Sequence, residues 1–497
     1  MPDRDLCFTP ATQLQRLYRA GKASPLEVVQ AVLARVDAVN PQVNAIVTLA
    51  RESALKEAKA ATAALKKRGR ALGPLHGVPV TIKDLTQTKG VRTTWGSKIF
   101  EHHVPTQDSL IVERLRSAGA IMIGKTNTPE FGAGANTFNA VFGPTRNPWN
   151  PALTCGGSSG GAAVALATGM GPIAQGSDTG GSLRTPAAFC GVVGFRTTPG
   201  LVPYYPKLLG WDSIGVTGPM ARTVGDTALM LSVVAGPDDR APLSYDVDTS
   251  AFTRAVRSPS IGGWRVAWTP DLNGLIPVDA EVARVAETAT RVFRSLGAKV
   301  ESACCDFSEV NDIVLGTRGL SMVANYADKL SQWKEQMQKG LVWNIEQGLK
   351  LSPEEIGRAE ALRTTLWQRV RAFMETRELL VLPTVAVPPF PVEIPYPTQI
   401  NGKPLDNYTQ WFFLTYGITV TGLPAISVPC GFTASGLPVG LQIVGRRRQE
   451  AMVLRAAAAF EAAAPWVDRI PPVVKHARGI TPTGSPRLHA AGAIAGS

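Results

Sequence analysis

Hydrophobic and polar positions along the chain follow strand periodicity in some segments and helical periodicity in others. In residues 77–84, GVPVTIKD, alternate positions from Val78 to Ile82 are apolar, which predicts a strand with one buried face. Residues 108–127 predict a helix followed by a strand, and residues 160–178 repeat that order around a glycine-rich stop. Strands that alternate with helices are typical of an α/β sheet covered on both faces.

The regions on either side are predicted from capping and turn signals. Residues 24–41 begin with a capping box and a proline at the first helical position, and Pro41 is predicted to follow the helix end. A second helix is predicted at 50–68, so that residues 1–72 form a helical region. After a turn-rich stretch the alternation resumes: strands at 264–271, 379–384, 425–431 and 440–445, helices at 279–296, 352–378 and 449–463, and an extended proline-rich loop at 385–397.

Composition excludes several classes of protein. With 44% hydrophobic and 18% charged residues, the 497-residue chain can bury a large core and is not disordered overall. We find no signal peptide and no apolar run long enough to span a membrane, and the six cysteines form no CxxC pair. We therefore expect a cytoplasmic protein with reduced thiols, and neither a disulfide framework nor a metal site.

The net charge of +12 raises the question of a nucleic-acid or membrane partner. The densest basic groups are KKRGR at 66–70 and RRR at 446–448, and neither is interleaved with aromatic residues. A solvated basic surface explains them better than a binding site for nucleic acid.

Candidate chemistry is concentrated where glycine is dense. Twelve of the 48 glycines fall between Gly156 and Gly200, in two glycine–serine clusters, GGSSGG at 156–161 and TGGS at 179–182, and in the segment around them. No P-loop or dinucleotide pattern is present and no lysine follows these glycines, which disfavours phosphate binding.

Either cluster could carry a nucleophilic serine. GGSSG around Ser158 fits a nucleophile elbow, but prolines precede it where a strand is needed, and His476 and His489 lie at or near the predicted tail. Ser182 follows a predicted strand, and TGGS offers consecutive backbone amides for an oxyanion hole. The second cluster is therefore the better candidate.

A serine nucleophile needs a base, and Lys83 ends the strand in GVPVTIKD. A lysine drawn into an apolar site loses basicity and can act as a base near neutral pH. The residue pattern alone favours a simpler explanation, a strand-end lysine in an ion pair. Asp178 and Arg184 flank the TGGS turn and either brace it as a charge-assisted pair or are two ordinary surface charges.

GVPVTIKD, GGSSGG and GSDTGGSLRTPAAFCGVVGFRTTPG together resemble the amidase signature family, from about residue 75 to 224, and the similarity resumes at 414–431 and 436–447. That family uses a Ser–cis-Ser–Lys triad. The resemblance implies that Ser182 is the nucleophile, Ser158 the bridging serine after a cis peptide bond, and Lys83 the base.

The resemblance also implies the surroundings of the triad. The backbone amides of Thr179, Gly180, Gly181 and Ser182 would form the oxyanion hole, with Asp178 and Arg184 in support. Ser159 would support the same network or only cap the helix that follows. No metal and no cofactor are expected.

The implied fold is α/β, one large domain with a central twisted mixed sheet covered by helices on both faces. We expect the following parts: the N-terminal helical region 1–72, the signature core 73–235, the remainder of the same domain 236–478 with a variable helical substrate-pocket region and C-terminal strands, and a disordered tail 479–497.

The implied reaction is cleavage of a carboxylic amide C–N bond through an acyl-enzyme, giving carboxylate plus amine or ammonia, with esters or carbamates as further candidates. An alternative relative is the A-type chain of a tRNA-dependent amidotransferase, which hydrolyses glutamine within a complex. Its RYG-type glutamine-site segment is missing from residues 321–333, SMVANYADKLSQW. We therefore expect a free-standing hydrolase of small-molecule amides, with no nucleic-acid or membrane partner and a homodimer as one possible assembly.

The variable region is rich in aromatic residues, which could line an apolar pocket for aryl or acyl groups or could belong to the core. They are Trp333, Trp343, Trp367, Tyr408, Trp411, Phe412, Phe413 and Tyr416.

Overall fold

The structure is a computed structural model that describes residues 5–66 and 72–477. Its centre is a single sheet of eleven strands, and a separate two-stranded hairpin lies in the C-terminal half. The strands are β1 (Ile46–Leu49), β2 (Pro79–Lys83), β3 (Ile121–Thr126), β4 (Ile173–Asp178), β5 (Val193–Arg196), β6 (Val216–Ala221), β7 (Arg265–Trp268), β8 (Lys299–Ser302), β9 (Leu379–Pro383), β10 (Gln399–Ile400), β11 (Lys403–Pro404), β12 (Ala425–Phe432) and β13 (Pro438–Gly445).

Helices cover both faces of this sheet, as predicted. None of the helices in the described part of the chain is long and apolar enough to cross a membrane. The helices are α1 (Ala11–Arg19), α2 (Pro25–Val43), α3 (Arg51–Leu65), α4 (Leu110–Ser117), α5 (Gly160–Ala167), α6 (Arg184–Cys190), α7 (Val224–Val234), α8 (Ser250–Ala255), α9 (Ala280–Ser295), α10 (Val310–Tyr326), α11 (Leu330–Trp333), α12 (Lys339–Lys350), α13 (Pro353–Glu375), α14 (Phe413–Thr421), α15 (Glu450–Ala463) and α16 (Pro472–Ala477).

The sheet is mixed, in the order β1-β3-β2-β4-β6-β5-β12-β13-β9-β7-β8. Strands β3, β2 and β4 run parallel, as do β9, β7 and β8, whereas the remaining neighbours are antiparallel. Because β2 and β4 are parallel neighbours, their carboxyl ends meet at one edge of the sheet. Lys83 and Asp178, the last residues of these strands, therefore come close together.

The period-2 pattern of β2 separates the two faces. Val78, Val80 and Ile82 belong to the apolar cluster shared with α4, α7, α9 and α15, which confirms the predicted buried face. On the opposite face, α2, α3 and α5 cover one half of the sheet and α10, α13 and α14 cover the other. Alternation places the Lys83 side chain on the face that α5 covers.

The first long helix differs from the prediction at its end. Its capping box is present, but α2 continues through Pro41 to Val43 and ends at Asn44, whose φ is 51°. Proline removes one backbone donor, and Val39 and Val43 on either side of it are both buried. The apolar contacts of this last turn offset the missing hydrogen bond.

The prediction that residues 1–72 are helical is also wrong in part, because Ile46–Leu49 form β1 at the sheet edge. The Asn40 side chain accepts hydrogen bonds from the amides of Ala45 and Ile46, at 2.9 and 2.8 Å, and so turns the chain from α2 into β1. Four residues are too few for the strand periodicity to be recognised in the sequence.

The turn-rich stretch at 236–262 contains one short helix, α8. The predicted tail, residues 479–497 with His489, lies outside the described residues, as does most of the KKRGR group. The division of the chain at residues 72, 235 and 478 stays a prediction.

Helix α5 lies unusually close to the sheet, because it begins with two glycines. A Cβ atom on Gly161 would lie 2.3 Å from the Asn127 amide nitrogen and 2.6 Å from the Ala45 carbonyl oxygen. A Cβ atom on Gly160 would lie 2.3 Å from the Thr137 hydroxyl oxygen. Only glycine allows this approach, and it positions the residues just before α5 relative to β2 and β4.

We expect Gly161→Ala to lower the free energy of unfolding by about 1–3 kcal/mol, since α5 must move away from rigid backbone atoms. Gly225, near the start of α7, has open space around its Cβ direction and is the matched control. Gly225→Ala should raise stability by about 0.5–1 kcal/mol. Urea denaturation of the three proteins measures both changes, and similar values for the two variants would contradict this account of α5.

Candidate active site

The two glycine–serine clusters meet at the carboxyl ends of β2 and β4. Ser158 and Ser159 precede α5, and the peptide bond between Gly157 and Ser158 is cis, as the resemblance implied. The TGGS turn follows β4 directly, and the Ser159 amide donates a hydrogen bond to the Ser182 carbonyl at 3.2 Å. The helix–strand unit between the clusters therefore returns the chain to the same point.

Lys83 is fully buried and contacts three hydroxyl groups rather than a carboxylate. Its Nζ donates to Ser158 Oγ at 2.7 Å, to Ser159 Oγ at 3.0 Å and to Ser177 Oγ at 3.1 Å. These contacts exclude the simpler explanation, a strand-end ion pair. Burial lowers the pKa of Lys83 to about 7, against an opposing effect from Asp178.

A second buried lysine provides a comparison. Burial also lowers the pKa of Lys125 to about 7, while Asp84 and Asp108 oppose the shift. Its Nζ donates to Thr88 Oγ1 and Thr93 Oγ1, both at 2.9 Å. A low pKa therefore does not by itself mark the site, and what distinguishes Lys83 is its set of serine neighbours.

Asp178 and Arg184 are buried rather than surface charges, and a third residue, Arg196, joins them. Asp178 Oδ1 lies 2.9 Å from Arg184 Nη2 and 3.1 Å from Arg196 Nη1, and all three side chains are fully buried. Burial would raise the pKa of Asp178, but the two guanidinium groups hold that pKa well below its usual value. Burial lowers the pKa of Arg196 to about 10.

Asp178 determines the shape of the TGGS turn. Its Oδ1 accepts a hydrogen bond from the Gly181 amide at 3.0 Å, and its Oδ2 accepts one from the Leu183 amide at 3.1 Å. The prediction for Gly181 is therefore wrong in one respect, because its amide is already bonded and is not free to stabilise an oxyanion. Within residues 5–66 and 72–477, nothing accepts a hydrogen bond from the amides of Thr179, Gly180 or Ser182.

A cavity of about 230 Å³ has Ser158, Ser177, Thr179 and Ser182 in its wall, and Gly180 lines a smaller cavity that shares Thr179 and Ser182 with it. Ser182 is half-buried, whereas Ser158 is only 2% exposed. None of the histidines whose side chains the structure describes lines this cavity. The site therefore combines serine hydroxyls, a buried lysine behind them and backbone amides that make no hydrogen bond within the described part of the chain. These groups can support nucleophilic attack on a carbonyl carbon.

The aromatic residues of the variable region divide between the two alternatives. Trp411, Phe412, Phe413 and Tyr416 are buried in the core under α10, α13 and α14. A separate cavity of about 670 Å³ is lined by three of the eight: Trp343, Tyr408 and Trp411. The set therefore includes both core residues and residues that line a cavity, and a role of that cavity in binding aryl or acyl groups stays a prediction.

Sequence reasoning missed three residues of the site: Gln175, Ser177 and Arg196. Gln175 Oε1 accepts hydrogen bonds from the Lys83 amide at 3.1 Å and from Thr86 Oγ1 at 3.0 Å. A local signal exists for two of them, since Gln175 and Ser177 occupy alternate positions of the buried strand that ends at Asp178. No local signal marks Arg196, which reaches Asp178 from β5.

Comparisons with known proteins extend over nearly the whole chain. The family described as Amidase matches residues 27–454. The chain is 41% identical over 475 residues to the acylamidase of Rhodococcus erythropolis, covering 95% of this chain and 98% of that protein. It is 35% identical over 487 residues to the A-type chain of the glutamyl-tRNA(Gln) amidotransferase of Thermosynechococcus vestitus, covering 92% and 98%. The crystal structure of a bacterial aryl acylamidase of the amidase signature enzymes matches with a TM-score of 0.87 at 30% identity, covering 95% and 99%.

We expect Arg196→Met to lower the free energy of unfolding by about 3 kcal/mol, because it leaves Asp178 with one guanidinium partner in a buried site. Arg254→Met is the control, since Arg254 and Asp248 form an exposed pair. That variant should change stability by less than about 0.5 kcal/mol. Urea denaturation measures both, and equal effects would contradict the importance of the buried pair.

Proposed function

The chain belongs to the amidase signature family of amide-hydrolysing enzymes, and we propose that it is a free-standing serine amidase acting on small-molecule carboxylic amides. The observation that carries the proposal is the 2.7 Å contact between Lys83 Nζ and Ser158 Oγ, in the wall of the cavity that also exposes Ser182. This contact joins a buried amine to the Ser158 hydroxyl, which belongs to a residue in the same cavity wall as Ser182. Such an arrangement can move protons without histidine.

The proposed base is Lys83 in its neutral form. Burial favours the uncharged amine, and the neighbouring hydroxyls offer hydrogen bonds but no negative charge that would hold the proton. A neutral Nζ keeps two N–H donors for Ser159 and Ser177 and a lone pair for the Ser158 hydroxyl. The Lys83 amine can therefore accept a proton from Ser158 while the other two serines hold it in place.

The proposed nucleophile is Ser182. As Ser182 Oγ attacks the amide carbonyl carbon, its proton passes to Ser158 Oγ and the proton of Ser158 passes to Lys83 Nζ. The carbonyl oxygen becomes negatively charged and is stabilised by the free amides of Thr179, Gly180 and Ser182. Asp178 and Arg184 take no proton in this scheme, and instead hold the turn that aims those amides.

This proton relay, from Ser182 through Ser158 to Lys83, then runs in reverse. Lys83 returns its proton through Ser158 to the substrate nitrogen, the C–N bond breaks, and an amine or ammonia leaves. The acyl group remains as an ester on Ser182. A water molecule attacks this ester and gives one proton to the same relay. The relay returns that proton to Ser182 Oγ as the ester C–O bond breaks, and the carboxylic acid leaves and ionises to carboxylate in solution.

The relatives bear on the substrate class. Two relatives, the acylamidase of Rhodococcus erythropolis and the bacterial aryl acylamidase, are named for the hydrolysis of acyl amides. The first is 41% identical to this chain, whereas the amidotransferase chain is 35% identical. This supports a free-standing amidase. The alternative, a glutaminase subunit of a tRNA-dependent complex, rests on the 35% identity to that amidotransferase chain.

We expect Ser182→Ala to reduce the hydrolysis of a simple aryl amide by about 10³-fold or more, because it removes the nucleophile. Ser109 lines the same cavity without a role in the proposed relay, and Ser109→Ala is the matched control. The control should stay within about threefold of the parent rate. Circular dichroism checks that both variants are folded.

Two outcomes would contradict the proposal. Full activity of Ser182→Ala would remove the assigned nucleophile. A purified parent protein that hydrolyses glutamine but no acyl or aryl amide, or that acquires activity only with a partner chain, would favour the amidotransferase alternative.

The pH dependence follows from the base. Because only the neutral amine accepts a proton, kcat/KM should rise with pH through about 7 and level off above it, as the pKa of Lys83 predicts. Lys83→Met should lose this dependence together with about 10²–10⁴-fold of the rate. Lys125→Met tests the assignment, since that lysine has a similar pKa but lies away from the serines. A profile that changes only in the Lys125 variant would contradict the role of Lys83.

A further inference from the structure

A third cavity, of about 660 Å³, lies where α13, the end of α14 and the loop after β13 meet. No residue in its wall also lines the 230 Å³ catalytic cavity. We call it the arginine cavity after Arg363, Arg447 and Arg448, which line it together with Trp367 and Tyr245.

The arginine cavity carries an excess of positive charge. Arg363 lies on α13, where its Nη2 donates to Ser213 Oγ at 2.8 Å and its Nη1 lies 3.7 Å from Glu360, the acidic residue in the cavity wall. Arg447 and Arg448 belong to the RRR group of the sequence and are exposed, and the described residues place no carboxylate in an ion pair with either. Three guanidinium groups therefore face one carboxylate.

An acidic residue close in sequence to Arg447 and Arg448 does not cancel the excess. Glu450 follows the arginines at the start of α15, but it is buried and accepts a hydrogen bond from the Thr198 amide at 2.8 Å. Burial raises the pKa of Glu450, which disfavours its charged form. The cavity keeps its positive potential.

The same cavity offers aromatic surfaces. The Arg448 guanidinium carbon lies 4.1 Å from the centre of the Tyr245 ring, so this side chain is already held over one aromatic wall. Trp367 forms another part of the wall. A planar or apolar group can pack against Trp367 while an attached anion meets the arginines.

We propose that the arginine cavity is a second ligand site, which binds an organic anion. Arg447 and Arg448 hold a phosphate or carboxylate group, because guanidinium forks match both anions. Trp367 packs against the planar or apolar part of the same ligand. The volume is in the range of small-molecule sites. The proposal does not depend on the catalytic roles of Lys83, Ser158 and Ser182.

Isothermal titration calorimetry with phenyl phosphate tests the proposal. Inorganic phosphate and phenol are titrated separately, because they represent the anionic and the aromatic part of this ligand. The double variant Arg447→Gln/Arg448→Asn removes both charges, and asparagine suits the positive φ of 64° at position 448. We expect this variant to weaken phenyl phosphate binding by about tenfold or more. Trp367→Ala should weaken phenyl phosphate but leave inorganic phosphate unchanged. Ser182→Ala should bind as the parent does, because the ligand is not in the catalytic cavity.

The matched control is Arg16→Gln/Arg19→Gln, which removes the same charge from two arginines on α1 that do not line the cavity. Binding weakened equally in both double variants would show an effect of net charge and overturn the proposal. No binding at millimolar phenyl phosphate, or binding that Ser182→Ala abolishes, would also overturn it. Benzoate, titrated into the Ser182→Ala protein, distinguishes a carboxylate ligand from a phosphate ligand: the tighter binder identifies the anion.

Discussion

The buried carboxylate of Asp178 is the interaction on which the rest of the site depends. A charge with no access to water must be paired completely, and Asp178 meets this demand with Arg184, Arg196 and two backbone amides. Arg184 in turn donates to the Thr415 carbonyl at 2.9 Å and to Gln442 Oε1. One carboxylate therefore joins β4 and the TGGS turn to elements from the far end of the chain.

The two guanidinium groups that pair with Asp178 also bond to the C-terminal half of the chain, because Arg184 donates to Thr415 and Gln442 and Arg196 donates to the Thr419 carbonyl. Arg196 lies on β5, which lies between β6 and β12 in the sheet, and its Nη1 also donates to the Asp178 carbonyl at 2.8 Å. The C-terminal strands β12 and β13 thus continue the sheet begun by the N-terminal strands. Separating the two halves would leave the buried Arg184 guanidinium without the Thr415 carbonyl and the Gln442 amide oxygen, although Asp178 would keep both of its guanidinium partners.

Burial disfavours the charged form of both Asp178 and Lys83, but only Asp178 is in direct contact with opposite charges that offset this effect. Asp178 keeps its charge because two cations surround it, whereas burial lowers the pKa of Lys83 to about 7 because its direct contacts are hydroxyls. The comparison with Lys125 shows that the pKa and the chemistry are separate matters. The pKa follows from desolvation, but what the amine can do follows from which hydroxyls lie within reach.

Local patterns in the sequence predicted the strand that ends at Lys83, the helix–strand unit from 160 to 178 and the two glycine–serine clusters, since each depends on residues close together in the chain. These patterns did not predict the short strand β1 or the continuation of α2 past Pro41, because contacts with distant parts of the chain outweigh weak local preferences there. Pairing of Arg196 with Asp178, capture of the Gly181 amide and the depth of Lys83 could not be read from any local pattern. They arise only when non-adjacent strands bring charges and hydroxyls together without water, and the energy of such contacts depends on burial that no short segment possesses by itself.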